Sequence, residues 1–168
     1  MEEIKTFFDI LGYVSTIIVI LSAIVIFILW ALGIAPVLIR LGNGLSRRKI
    51  AIFAKGDALS SLKSLLHDSK LFQRSNLIEI TTHDDIGKSE EATLFLVHWI
   101  DWKDRVKEIL DHKMDGIAVI VYAPQEHGFI PPEDMKLLNS KRNVIVTNFR
   151  GRLLNDLVTS MITTSYEK

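Results

Sequence analysis

The sequence contains no cysteine. That excludes a disulfide framework and any Cys-ligated metal site, and it suits a reducing compartment. There is no excess of either charge, since 20 Lys and Arg balance 20 Asp and Glu. No global field therefore recruits nucleic acid, and nucleic acid is not expected as a partner. Neither an internal repeat nor a low-complexity segment is present. The phosphate-cradling patterns G-x-x-x-x-G-K-[ST] and G-x-G-x-x-G are missing, and the 5 histidines show no H-E-x-x-H or comparable ligand spacing. No metal and no cofactor is expected.

The absence with most consequence is local. From Ile10 to Ile39, between Asp9 and Arg40, not one side chain is charged. About 20 apolar helical residues cross a bilayer core. In lipid even β-branched residues adopt helix, because no water remains to satisfy an open backbone. The run predicts one transmembrane helix. Tyr13 and Trp30 suit the two interfacial aromatic belts, and the stretch between them spans about 27 Å. Pro36 is expected to kink the helix or to start a short interfacial one. The residues before the run are net acidic and the run is too long for a signal peptide, so it reads as a retained anchor.

The flanks orient it. Glu2, Glu3 and Asp9 outweigh Lys5 on one side, whereas Arg40, Arg47, Arg48, Lys49 and Lys55 face no acid on the other. Positive-inside counting places the N-terminus outside and the C-terminal domain in the cytoplasm, at the cell inner membrane. The bilayer is thus the first expected partner. Residues 1–41 form the tail, transmembrane helix and juxtamembrane segment, 42–48 a linker around Gly42-Asn43-Gly44, and 49–168 the cytosolic domain.

In that domain, strand candidates alternate with amphipathic helices. The strands are Lys49–Ala54, Leu77–Thr81, Thr93–His98, Ile117–Tyr122 and Val144–Phe149. Asp57 is positioned to cap a helix carrying Leu59, Leu62, Leu65 and Leu66 on one face. A further helix carries Val106, Ile109 and Leu110 and stops near Asp115-Gly116, and Pro131-Pro132 opens another. The last starts at Gly151, with Leu153, Leu154, Leu157, Val158, Met161 and Ile162 on one stripe. The connection His83–Ser89 is short and polar, leaving room only for a stunted helix. Strands apolar on both faces mean a parallel sheet covered on both sides. Five of them fit the α/β, flavodoxin-like three-layer fold with strand order 2-1-3-4-5.

In such sheets ligands bind beyond the carboxyl ends of the strands, where strand order reverses. That selects Lys55, Gly56 and Asp57 after the first strand, His98 and Trp99 after the third, Tyr122 after the fourth, and Asn148, Phe149, Arg150, Gly151 and Arg152 after the fifth. Two arginines around a glycine at a helix start suit an anion, because free N–H groups and the helix dipole point the same way. A phosphate-bearing ligand, such as a nucleotide, is the expected occupant. No catalytic constellation is evident.

The strand–helix alternation resembles receiver domains, whose acidic pair, phosphoacceptor Asp and Lys would fall at Lys55-Gly56-Asp57, His98-Trp99 and Asn148-Phe149-Arg150. These residues do not supply phosphotransfer. The topology also resembles TIR domains. That resemblance implies a nucleotide hydrolase with Glu108 or His98 in the catalytic role. As a whole, one N-terminal membrane helix before a small Rossmann-like domain resembles the membrane effectors of prokaryotic antiviral systems, in which a sensor of the CARF or a related kind controls an oligomeric membrane helix. The resemblance implies a homo-oligomer responding to a nucleotide signal. A passive scaffold that docks a cytosolic protein remains a further alternative.

Overall fold

The first helix carries its few charges in its opening turns and is uncharged from Ile10 onward. A computed structural model describes residues 2–36, 39, 42, 48–127 and 129–164, and the chain divides into two compact units, Met1–Gly42 and Asn43–Lys168. In the first unit, α1 runs Glu2–Ala31. Its segment Ile4–Ala31 is long and apolar enough to cross a membrane, and none of its apolar window is buried in protein. Thr16 returns its hydroxyl to the Gly12 carbonyl at 2.8 Å, so this polar group is satisfied without water.

The helix stops earlier than Pro36. Gly33 has a φ of +76°, and its N–H donates to the Trp30 carbonyl at 3.0 Å. This is the left-handed stop that glycine makes without a Cβ clash. Ile34 to Pro36 are helical again. Of the two expectations for Pro36, the kink falls at Gly33 instead, and Pro36 lies in the first turn of a new helical stretch, where a prolyl ring is tolerated. Arg40, Arg47 and the linker residues 43–47 lie outside the described residues.

The second unit is a five-stranded, all-parallel sheet in the order β2-β1-β3-β4-β5, consistent with a flavodoxin-like domain. The strands are β1 Ile50–Phe53, β2 Leu77–Ile80, β3 Leu94–His98, β4 Ala118–Tyr122 and β5 Val144–Thr147. Each apolar run extends beyond its ladder, because pairing ends where the neighbouring strand ends. Every residue of β1, β3 and β4 is buried, which is why these segments show no polar alternation. The edge strands β2 and β5 are only partly covered.

Helices close both faces. On one, α2 (Gly56–Asp68) and the C-terminal α6 (Arg150–Thr163) lay Leu62, Leu66, Leu153, Leu157 and Met161 over Ile52, Leu96 and Ile120. On the other, α3 (Trp99–Trp102), α4 (Val106–His112) and α5 (Pro132–Ser140) cover Phe53, Phe95 and Val121. Phe53 is the hub of that layer, with Phe95 at 5.3 Å and Trp102 edge-on at 5.4 Å between ring centres. Such pairs add to simple area burial.

Local chemistry departs from the sequence pattern in three places, and it gives the expected stunted helix after β2 its form. Asp57 does not cap α2: the helix begins at Gly56, Lys55 occupies the cap position, and Asp57 sits in the first turn. The residues after β2 form a 3-10 helix, His83–Glu91, started by a capping box in which Thr82 and Asp85 serve each other's backbone. The helix after β3 is broken by a 3-10 turn at Lys103–Arg105 and ends at His112. On α6, Asp156 and Ser160 are buried alongside Leu153, Leu157 and Met161, whereas Leu154 and Val158 are only partly covered. Arg152 reaches Asp156 Oδ1 at 3.2 Å from one turn away, which offsets the cost of drawing that carboxylate inward.

Candidate functional site

Parallel pairing brings the carboxyl ends of β1, β3 and β4 level. His98 of β3 stands opposite Tyr122 of β4, with ring centres 6.1 Å apart. Alternation along β3 sends Leu94, Leu96 and hence His98 to the α2/α6 face. There a cavity of about 330 Å3 opens, lined by Asp57, Ser61, His98, Tyr122, Glu126 and Arg150 among others. It lies at the switch point, where the chain leaves β1 toward β2 and returns for β3.

His98 is 5 % exposed and its ring is held from behind. Asp101 Oδ2 lies 2.8 Å from His98 Nδ1, and the same oxygen accepts the Lys55 backbone N–H at 2.8 Å. A carboxylate can only accept, so the Asp101 contact is a hydrogen bond donated by His98 Nδ1–H. One carboxylate oxygen thus ties the end of β1 to the end of β3. Asp101 was not selected from the sequence. Its spacing from His98, i to i+3 across a strand-to-helix turn, is the signal that would have found it.

The expected site residues divide. Asp57, His98 and Arg150 share the cavity. Arg150 donates from one terminal nitrogen to Ser61 Oγ at 2.6 Å and from the other to the Ser61 carbonyl at 2.9 Å, so it clasps α2 to the start of α6. Gly56 lies just before Asp57 with a φ of +49°. Lys55 turns elsewhere and places its Nζ 5.2 Å over the Trp102 ring, a cation–π contact on the opposite layer. Arg152 is taken by Asp156. Asn148 lines a separate recess of about 250 Å3 with Phe129, Ile130, Met135 and Val146. Gly151 is the second residue of α6, with open space around it. The two arginines therefore do not converge on one anion, because successive helix positions fan out by about 100° each.

Glu108 also sits apart from His98. It pairs with Arg105 at 3.2 Å and His83 at 3.4 Å, on α4, which covers the other face of the sheet. Among the described residues no three His, Asp or Glu side chains converge as a metal site. Asp85 is engaged by Thr82 and Lys88. The Lys88 and Thr82 hydrogen bonds hold its carboxyl well below the usual carboxylate range. Lys49 likewise holds Glu91 low. Burial lowers Arg48 from its ordinary value, and its guanidinium reaches Thr164 Oγ1 at 3.4 Å.

The fold and cavity together define a class: a flavodoxin-like parallel domain with a polar switch-point cavity, on a chain that begins with one apolar helix. The chain matches no protein-family model, no curated protein and no solved structure.

Proposed function

We propose that this protein is a single-pass membrane sensor and effector. Helix α1 anchors it in the cytoplasmic membrane with the N-terminus outside, and the α/β domain works in the cytoplasm. A phosphate-bearing, nucleotide-type signal enters the switch-point cavity, the domains associate, and the gathered helices perturb the bilayer, as in the membrane effectors of prokaryotic antiviral systems. One observation carries this reading. An apolar helix with no buried face shares a chain with a domain whose polar cavity contains an arginine at the position where parallel sheets bind ligands.

The test uses the full chain in detergent and in vesicles. Its mass is measured with and without mono-, di- and cyclic nucleotides, and dye leakage is followed from vesicles carrying it. A ligand-dependent rise in mass with leakage supports the reading. A monomer under all conditions, with sealed vesicles, overturns it.

The His98–Asp101 pair favours a second reading, a membrane-tethered nucleotide hydrolase with His98 as general base. In that case nucleotide turnover is measurable and disappears in His98→Ala. Glu108, distant from the cavity, is not assigned a role in it.

A further inference from the structure

The size and charge of the switch-point cavity narrow its ligand. Its volume is about 330 Å3, at the lower end of the roughly 300–1,000 Å3 that small-molecule sites occupy. Among the described residues its lining holds one cation, Arg150, against two carboxylates, Asp57 and Glu126. Arg150, Asp57 and Glu126 together carry a formal charge of −1, from one positive and two negative side chains. Such a wall tolerates one phosphate beside Arg150 and repels a chain of them.

The remaining groups have matching uses. Two of the five guanidinium N–H groups hold Ser61, which fixes the plane of the fork and leaves the others for an oxyanion. Carboxylates at a switch point accept hydrogen bonds from ribose hydroxyls, and Asp57 and Glu126 are placed to do so. Tyr122 and His98, 8 % and 5 % exposed, present to the cavity only the small open part of each ring, which a base can lie against.

We infer that the cavity binds a single ribonucleoside monophosphate: the phosphate on Arg150, the ribose hydroxyls on Asp57 or Glu126, and the base against Tyr122 and His98. This rests on the ligand-sensing part of the proposed function and names its ligand class. It sets aside nucleoside triphosphates, dinucleotides and cyclic oligonucleotides.

Calorimetric titration of the full chain in detergent tests it, with AMP, GMP, CMP and UMP as probes. Adenosine, ATP, inorganic phosphate and a cyclic dinucleotide are the comparisons. At least one monophosphate should bind at least tenfold more tightly than its nucleoside, its triphosphate and free phosphate. Arg150→Ala should weaken it by about ten- to hundredfold, the usual scale for a lost charge-assisted bond. Arg150→Lys, which keeps the charge and loses the fork, covers the case in which the alanine variant does not fold. It should weaken binding by a smaller factor.

Tighter binding of a triphosphate or cyclic dinucleotide overturns the inference, as does equal affinity for the nucleoside, or no monophosphate binding by the folded protein. The two proposals fail separately. A monophosphate that binds without raising the mass sinks the effector reading alone, whereas a cyclic dinucleotide that binds and assembles the protein sinks the monophosphate inference alone.

Discussion

Replacing Asp101 by alanine removes one oxygen on which two elements depend. The Lys55 N–H and His98 Nδ1–H both end on Asp101 Oδ2, each at 2.8 Å. A hydrogen bond to a charged group contributes about 1.5–3 kcal/mol. The two losses differ in kind. Lys55 is exposed, so water replaces its acceptor at little cost, whereas His98 is 5 % exposed and its N–H would be stranded. The sum is therefore about 2 kcal/mol, closer to one full bond than to two. For a domain of between about 100 and 150 residues this lowers the melting temperature by about 6–12 °C. The assay is a thermal melt of the full chain in detergent, followed by near-ultraviolet circular dichroism. Trp99 and Trp102 are both buried in the domain, so the signal reports its packing and not the persistence of α1. Asp101→Asn keeps an acceptor oxygen and should lose about half as much. A double-mutant cycle with His98→Ala should return a coupling of about 1 kcal/mol or more. A melt unchanged in Asp101→Ala, or zero coupling in the cycle, would refute the assignment of Asp101 as the brace of His98.

Gly56→Ala should destabilise the domain by about 1–2 kcal/mol even though alanine favours helix; the space around Gly56 is open, so the cost arises from its φ of +49° alone. A urea titration that shows stabilisation would contradict this. Asp85 and Glu91 have carboxyls held below their ordinary values. They therefore contribute stability above the unfolded carboxylate value of about 4, and that contribution is lost as pH falls below it. Asp85→Asn should flatten the acid limb of a stability–pH profile and leave its neutral-to-basic part parallel to wild type. Leu157 is fully buried between α6 and the sheet, and Leu157→Ala should cost about 2–5 kcal/mol, read as a lower urea midpoint with an unchanged slope.

Much of the architecture was legible because burial writes itself into composition. The runs Ile50–Phe53, Leu94–His98 and Ala118–Tyr122 are buried on both faces and therefore apolar up to His98 and Tyr122 at their ends, and these three with two partly covered edge runs between amphipathic helices leave few arrangements of a parallel sheet. What escaped were features decided by short polar contacts. Thr82 and Asp85 look like loop residues until their reciprocal hydrogen bonds form a cap. Gly33 and Pro36 both break helices on paper, and only backbone geometry shows that Gly33 acts first. The site was legible as a place more than as a set of residues. The switch-point rule selected Asp57, His98 and Arg150 correctly as neighbours, since strand ends fix where those residues go. It also gathered Lys55, Arg152 and Asn148, whose side chains are drawn off by Trp102, by Asp156 and into a different recess. Tyr122, selected at the end of the fourth strand, lines the cavity as well, whereas Ser61 and Glu126 entered through tertiary packing, with no local pattern to announce them.

The stop at Gly33 has a mechanical consequence. Torque travels along a helix only while each turn is hydrogen-bonded to the next, and the left-handed Gly33 interrupts that ladder. Rotation applied beyond Gly33 would be dissipated there instead of turning the apolar helix about its axis. Were the proposed assembly to form, contacts made beyond Gly33 would gather the apolar helices without fixing the azimuth of any one of them.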